Sequence, residues 1–113
     1  MEYLIDATNQ RLGRLASQIA SILQGKRDVR YEPRLSGSDR VRVKNAGKIT
    51  VSGKKASQKI YYHHTGYMGH LREKTFREEF ARSPEEVLRR TVEHMLPKNK
   101  LRTNRLKCLV IER

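Results

Sequence analysis

The chain has little of several residue types, and each shortage excludes a class of protein. It contains one cysteine, Cys108, so no disulfide can form within it, and a reducing compartment is expected. No stretch approaches the ~18 apolar residues of a membrane-spanning helix, so no membrane partner is expected. Glu2 and Asp6 argue against a signal or transit peptide. We therefore expect a cytoplasmic protein, with an organelle matrix as the alternative.

The sequence also lacks the spacings that metal sites and nucleophilic enzymes use. Neither a Cys-x-x-Cys pair nor a His-x-x-x-His pair is present to preorganise a metal site. Cys108 lies in a predicted strand beside Leu106 and Leu109, where a free cysteine is usually a small buried hydrophobe. No metal, cofactor or catalytic residue is therefore expected.

One stretch, residues 52–55, invites comparison with a phosphate-binding loop. It reads Ser-Gly-Lys-Lys, but the spacing from Gly47 to Gly53 is one residue too long for that motif, and Ala56 stands where a hydroxyl is required. Gly13, in the first turn of a predicted helix, lacks the second and third glycines of a dinucleotide fingerprint. We interpret Gly13 as a close packing contact between helix and sheet, and we expect no small-molecule substrate.

What the chain has in excess is positive charge. It carries 25 lysines and arginines against 12 acidic residues, a net charge of +13. Residues 25–74 carry a net +9 and residues 98–113 a net +5, whereas residues 1–24 are neutral and residues 75–97 carry −1. A near-neutral scaffold thus alternates with basic connecting segments. This distribution is typical of a protein that lays loops on a nucleic-acid backbone.

Hydrophobic periodicity predicts a single α/β domain over residues 1–113. Residues 3–7, 40–44, 49–51, 60–64 and 109–111 are predicted as short extended segments; among them, residues 40–44 alternate strictly between valines and cations. Leu12 to Leu23 form an amphipathic helix closed by Gly25. Capping boxes at Thr75 and Ser83 begin two further helices. The alternation predicts a mainly parallel sheet of about four strands, with helices on both faces.

The densest group of aromatic and imidazole side chains lies between Lys59 and His70. Residues 60–64 read as a strand that ends at the turn Thr65-Gly66. Because neighbours on a strand face opposite ways, one of Tyr61 and Tyr62 is expected in the core and the other outside. Stacking rings beside lysines suit a base-bearing polyanion. The alternative, core tyrosines with solvated histidines, is less consistent with the charge distribution.

The candidate RNA-binding residues come from the basic segments and this central stretch. We expect them to contact phosphates and 2′-hydroxyls, because side chains cannot read the major groove of A-form RNA. They are Lys26, Arg27, Arg30, Tyr31, Arg34, Lys44, Asn45, Lys48, Lys54, Lys55, Lys59, Tyr62, His63, His64, Thr65, Gly66, Tyr67, Gly69, His70, Arg72, Lys74, Lys98, Lys100, Arg102, Arg105 and Lys107.

Several blocks, in order along the chain, resemble the bacterial-type large-subunit ribosomal protein L-thirteen family. The resemblance implies a three-layer α/β/α fold, direct binding to large-subunit ribosomal RNA, a role in early subunit assembly, neighbouring ribosomal proteins as partners, no homo-oligomer and no catalysis. The blocks are Asp6-Ala7-Thr8, Leu12-Gly13-Arg14-Leu15-Ala16, Val43-Lys44-Asn45-Ala46-Gly47-Lys48, Ser52-Gly53-Lys54-Lys55, Tyr61-Tyr62-His63-His64-Thr65-Gly66-Tyr67 and Met95-Leu96-Pro97-Lys98-Asn99-Lys100-Leu101.

The chain departs from that family pattern at three places. His70 and Arg102 stand where glycine is common, and the sequence ends at Arg113 where many members continue, so contacts of such a tail are not expected. Two other classes of function remain open from the residues themselves. They are a nucleotide-binding α/β enzyme, which rests on fold alone, and a DNA-binding module, since charge does not separate one nucleic acid from another.

Overall fold

The computed structural model describes residues 1–113 and contains five strands and five α-helices. The strands are β1 (Glu2–Asp6), β2 (Arg40–Lys44), β3 (Ile60–His64), β4 (Leu71–Thr75) and β5 (Leu109–Ile111). The helices are α1 (Leu12–Leu23), α2 (Lys55–Gln58), α3 (Phe76–Arg82), α4 (Pro84–Met95) and α5 (Leu101–Lys107), with a short 3-10 turn at Ala46–Lys48.

Three strands form a parallel sheet in the order β1-β2-β5. Val41 pairs with Tyr3 on one side and with Leu109 on the other, so these three side chains lie on the same face of the sheet. Val41 and Val43 are buried while Arg40, Arg42 and Lys44 are exposed, which confirms the alternation predicted for this strand. The α/β class and the parallel sheet are therefore as the sequence predicts.

The sheet differs from the prediction in its strand number and its covering. It has three strands rather than about four, because β3 leaves it to pair elsewhere. Its second face carries Leu4, which is 65% exposed, Arg42 and the exposed Val110. Helices therefore bury one face of the sheet and leave the other open, instead of covering both. Residues 49–51 form no strand and contribute only an isolated bridge between Thr50 and Arg11.

The strand β3 pairs antiparallel with β4 in a separate hairpin, which the sequence did not predict. Ile60 lies opposite Thr75, and His64 lies opposite Leu71. Only residues 65–70 connect the two strands, and a parallel pair requires a crossover of about a dozen residues or more. The hairpin joins the core at its base, where Phe76 N donates to Lys59 O at 2.8 Å.

Helices α1 and α4 supply most of the core on the covered side of the sheet. Leu15, Ile19 and Ile22 of α1 are fully buried, as are Leu88 and Val92 of α4.

The predicted helix caps are confirmed: the hydroxyls of Thr75 and Ser83 accept hydrogen bonds of 3.4 Å from the backbone N–H groups three residues on. These side chains satisfy donors that a helix start otherwise leaves unpaired.

The molecule is more extended than a chain of its length needs to be. Its radius of gyration is 15.3 Å, against about 13 Å for a compact domain of roughly 100 residues. Only 23 of the 113 residues are buried, and none of them lies in β3, β4 or residues 26–40. The hairpin strands and residues 26–40 therefore lie outside the core. No helix combines the length and apolarity that a membrane crossing requires.

Candidate nucleic-acid interface

The β3–β4 hairpin holds one tyrosine against the protein and presents the other to solvent. Tyr61 packs against the core cluster, while Tyr62 is 62% exposed. The opposite orientations confirm the prediction from strand alternation. His63 lies opposite Arg72, so an imidazole and a guanidinium face the same side of the hairpin.

The hairpin ends in an ordered tip at residues 65–70. The Thr65 hydroxyl donates to His70 O at 3.2 Å, and Gly66 N–H donates to His64 Nδ1 at 3.0 Å. Gly66 and Gly69 have φ of 89° and 76°, left-handed conformations that favour glycine. The tip thereby exposes Tyr67, which is 74% accessible and meets the His70 ring edge-on with centroids 6.2 Å apart. An exposed ring beside an imidazole can stack on a base or pack on a sugar.

Lys54, Lys55 and Lys59 line a surface cavity of about 690 Å³ between α2 and the start of α1. Arg11 lines the same cavity and was not among the predicted residues, although its position directly before α1 was visible in the sequence. Gly13 also lines it and is exposed, and a Cβ added there would meet nothing within 4 Å. The interpretation of Gly13 as a helix-to-sheet packing contact is therefore wrong.

The segment from Lys26 to Arg34 is an exposed series of turns. Arg27 places its guanidinium carbon 5.7 Å from the centre of the Tyr3 ring, and the Arg34 Nε donates to Glu32 at 2.8 Å. Lys26 and Arg30 are exposed without an ion pair, and Tyr31 is partly exposed. Two of the four cations here, Lys26 and Arg30, are thus unpaired and available to a partner.

Asn45 follows β2 in a left-handed conformation with φ of 59°, between the exposed Lys44 and Lys48. Its side-chain nitrogen donates to Asp6 at 3.0 Å. Asn45, a predicted RNA contact, thus makes a local hydrogen bond in the structure. Hydrogen bonds from Thr8 first, then from Asn45, lower the pKa of Asp6 from 3.8 to about 2.

Arg105 is a structural residue, contrary to its prediction as an RNA contact. It is 3% exposed and donates to Leu35 O at 3.1 Å and to Ser36 O at 3.4 Å, which fastens the loop before β2 to α5. The sequence contained a signal for this role, because Leu101, Arg105 and Cys108 are spaced at one-turn intervals on one helix face. Arg105 therefore occupies a position that a hydrophobic residue would normally fill.

The other cations of the C-terminal basic segment stay near the surface. Arg102 lies 3.8 Å from the Glu93 carboxylate, and Lys98, Lys100 and Lys107 are exposed without an ion pair. Across the chain, ion pairs engage four of the 25 basic side chains: Arg34, Arg42, Lys74 and Arg102. The protein's own carboxylates therefore leave most of its positive charge unneutralised.

A second cavity of about 690 Å³ lies beside the hairpin and includes residues that the sequence did not single out. Arg82 of α3 and Arg90 of α4 line it together with the predicted Tyr62, His63, Arg72 and Lys74. Arg82 and Arg90 belong to the near-neutral segment that we interpreted as scaffold. Glutamates lie within four residues of each in the sequence, so local net charge concealed them.

The histidines and the cysteine do not converge. No group of three His, Cys, Asp or Glu side chains is arranged to hold a metal ion. Cys108 lies at the end of α5, with its Sγ 3.6 Å from Asn104 O.

Fold and surface together define a small α/β domain whose unpaired cations lie on loops and on an aromatic hairpin. The family model described as "Ribosomal protein L13" matches residues 1–111. The chain is 50% identical over 101 residues to the "Large ribosomal subunit protein uL13" of Clostridioides difficile (strain 630), covering 89% of this chain and 71% of that protein. It is 47% identical over 109 residues to the protein of the same name from Rubrobacter xylanophilus, covering 96% and 76% respectively.

The chain belongs to the ribosomal protein L13 family. The resemblance of the sequence motifs to this family is thereby confirmed. The family is one of ribosomal proteins and not of enzymes, as the sequence led us to expect.

Proposed function

We propose that this protein is a structural constituent of the large ribosomal subunit that binds large-subunit ribosomal RNA directly and supports early assembly of that subunit. It acts beside neighbouring ribosomal proteins, as a single copy, on cytoplasmic ribosomes or those of an organelle matrix. Family membership supports the ribosomal part of the proposal. The observation that supports direct RNA binding is the unpaired charge described above.

Most of the basic side chains form no ion pair, although the chain contains carboxylates. Twelve acidic residues are present, yet ion pairs hold only four of the 25 lysines and arginines. A net charge of +13 on a small fold repels itself, and a polyanion beside it relieves that repulsion. Phosphates of a folded RNA supply the charge, and contacts to many of them give affinity that depends strongly on salt.

The location of the cations favours RNA over DNA. Most of the predicted contacts lie on loops, on the hairpin or near helix ends, while α1 and α4 bury their apolar faces against each other and the sheet. A DNA reader would place an exposed helix in the major groove. Loops and an aromatic tip instead suit phosphates, 2′-hydroxyls and unstacked bases of a folded RNA.

The test is binding of the purified protein to a large-subunit ribosomal RNA fragment across a salt series. With ~6–10 phosphate contacts, affinity should fall by ~10³ to 10⁵ between about 50 and 200 mM salt. Co-sedimentation with large subunits, and release from them only at high salt, is the expected result for the native protein. A flat salt response, or a native protein that stays free of particles, would contradict the proposal.

A further inference from the structure

We propose that the cavity beside the β3–β4 hairpin is a binding site for a backbone phosphate of the RNA, held by Arg82, Arg90 and Arg72 and by the hydroxyl of Tyr61. This inference rests on the proposed function and adds a site to it. The cavity, of about 690 Å³, lies between the hairpin and helices α3 and α4. Two of its cations come from segments whose local net charge is near zero.

Three guanidinium groups line this cavity without a carboxylate or hydrogen-bond partner in the protein. No carboxylate lies within 4.0 Å of the side-chain nitrogens of Arg72, Arg82 or Arg90, and these side chains make no hydrogen bond. The carboxylate in the cavity, Glu79, is 12% exposed and pairs with Lys74 at 3.6 Å. The N–H groups of these guanidiniums thus have no acceptor in the protein, and their planar forks match the oxygens of a phosphate.

Tyr61 gives a second, independent indication. Its hydroxyl is buried and has no hydrogen-bond partner, the only side-chain polar atom of the protein in that state. The Arg90 guanidinium carbon lies 5.4 Å from the centre of the Tyr61 ring, and Lys59 Nζ lies 5.5 Å from it. Buried polar groups are normally satisfied. An oxyanion bound in the cavity would accept a hydrogen bond from this hydroxyl.

The geometry of the hairpin places these groups on one side. Tyr61 pairs with Lys74 and His63 with Arg72, so the four side chains share a face. His94 lies one turn after Arg90 on α4 and lines the same cavity. The cavity is continuous with the proposed RNA surface, because the two share Tyr62, His63, Arg72 and Lys74. An RNA bound to that surface can therefore place a phosphate in the cavity.

The test compares salt slopes for an RNA fragment. Arg82→Gln combined with Arg90→Gln should lower the slope of log affinity against log salt by about 1 and weaken binding roughly tenfold. Arg14→Gln combined with Arg77→Gln is the charge-matched control: both residues are exposed on helices, make no ion pair and do not line the cavity. Tyr61→Phe should weaken binding several-fold with the slope unchanged, because it removes a hydrogen bond and no charge.

The outcomes separate this inference from the proposed function. A flat wild-type salt response contradicts both. A steep wild-type response that the Arg82/Arg90 variant and the Arg14/Arg77 control reduce equally overturns the cavity site alone. If inorganic phosphate, compared with chloride at equal ionic strength, stabilises the wild type but not the double variant while the RNA slope stays unchanged, the ligand is free phosphate and the RNA assignment is overturned. If the double variant fails to fold, the salt slope of Arg82→Gln alone is compared with that of Arg77→Gln, and the same outcomes apply.

Discussion

The carboxylate of Asp6, at the end of β1, accepts a hydrogen bond of 3.0 Å from the side-chain amide of Asn45, which follows β2. The same oxygen accepts from the Thr8 hydroxyl at 2.7 Å and from the Thr8 backbone N–H at 3.0 Å. Residues 39 positions apart are thereby joined at the carboxyl ends of two parallel strands. This junction holds the end of β2, where Lys44 lies, and the start of the turn that contains Lys48.

The first prediction concerns the pH dependence of this junction. Because the folded protein lowers the pKa of Asp6 from 3.8 to about 2, chiefly through the Thr8 hydroxyl, the bonds stabilise the fold above about pH 4. That stabilisation is lost as the pH falls through about 2. Asp6→Asn should therefore lower the melting temperature at neutral pH and converge on the wild type near pH 2. Thermal denaturation across the acid range measures the difference.

Glu73→Gln is the control for Asp6→Asn, since Glu73 is exposed and makes no ion pair. Its melting temperature should follow the wild type throughout. Equal effects of the two substitutions would mean that general charge, and not the Thr8 and Asn45 bonds, is responsible.

The second prediction concerns Arg105. Arg105→Met should lower the free energy of unfolding by about 1–3 kcal/mol, because the carbonyls of Leu35 and Ser36 lose their buried donor. Lys107→Met, an exposed cation on the same helix, should change it by less than about 0.5 kcal/mol. Denaturant unfolding measures both. If Arg105→Met leaves stability intact and weakens RNA binding, Arg105 contacts RNA after all.

The third prediction concerns the lysines that line the cavity near α1. Lys54→Ala with Lys55→Ala should lower the salt slope of RNA binding by about 1 to 2, since each phosphate contact contributes ~0.7–0.9. The melting temperature should stay unchanged, because exposed cations contribute little to folding. Arg14→Ala with Arg77→Ala removes the same charge from exposed helix positions outside the proposed surface and should alter the slope less. A fall in melting temperature without a change in binding would make the lysine pair structural.

Local sequence patterns predicted most of the helices and strands correctly, and the elements that they missed have physical causes. The helix Leu12–Leu23, the strand Arg40–Lys44 and the caps at Thr75 and Ser83 depend on periodicity and hydrogen bonds within a few residues, so the sequence displays them. Strand partners are decided by contacts far apart in sequence. The departure of β3 from the parallel sheet was therefore missed, together with β4.

The site residues follow the same division. The exposed tyrosines and lysines were identified because composition and alternation indicate exposure. Arg105 was misassigned because its partners, the carbonyls of residues 35 and 36, lie about 70 positions away. Arg82 and Arg90 were missed because nearby glutamates cancel their charge in sequence, although in the structure those two side chains line a cavity with Arg72.

The last prediction is that Tyr61 stabilises the complex at the expense of the free protein. Its buried hydroxyl has no partner, so Tyr61→Phe should leave the free energy of unfolding unchanged or raise it by about 1 kcal/mol. Burial, opposed by Arg90 and reinforced by Glu79, raises the pKa of Tyr61 above its ordinary value of 10.0. A raised pKa means that stability is present below pH 10.0 and falls above it, as the folded state resists ionisation. The variant should therefore gain on the wild type in alkaline solution.

Tyr62→Phe is the control for that experiment, because Tyr62 is the adjacent residue on β3 and its ring is exposed. Thermal denaturation at neutral and alkaline pH should show no gain for Tyr62→Phe. A loss of stability in Tyr61→Phe would mean that its hydroxyl already has a partner, such as a bound water, in the free protein. A gain in stability together with weaker RNA binding would show that the unpaired hydroxyl is kept for a ligand.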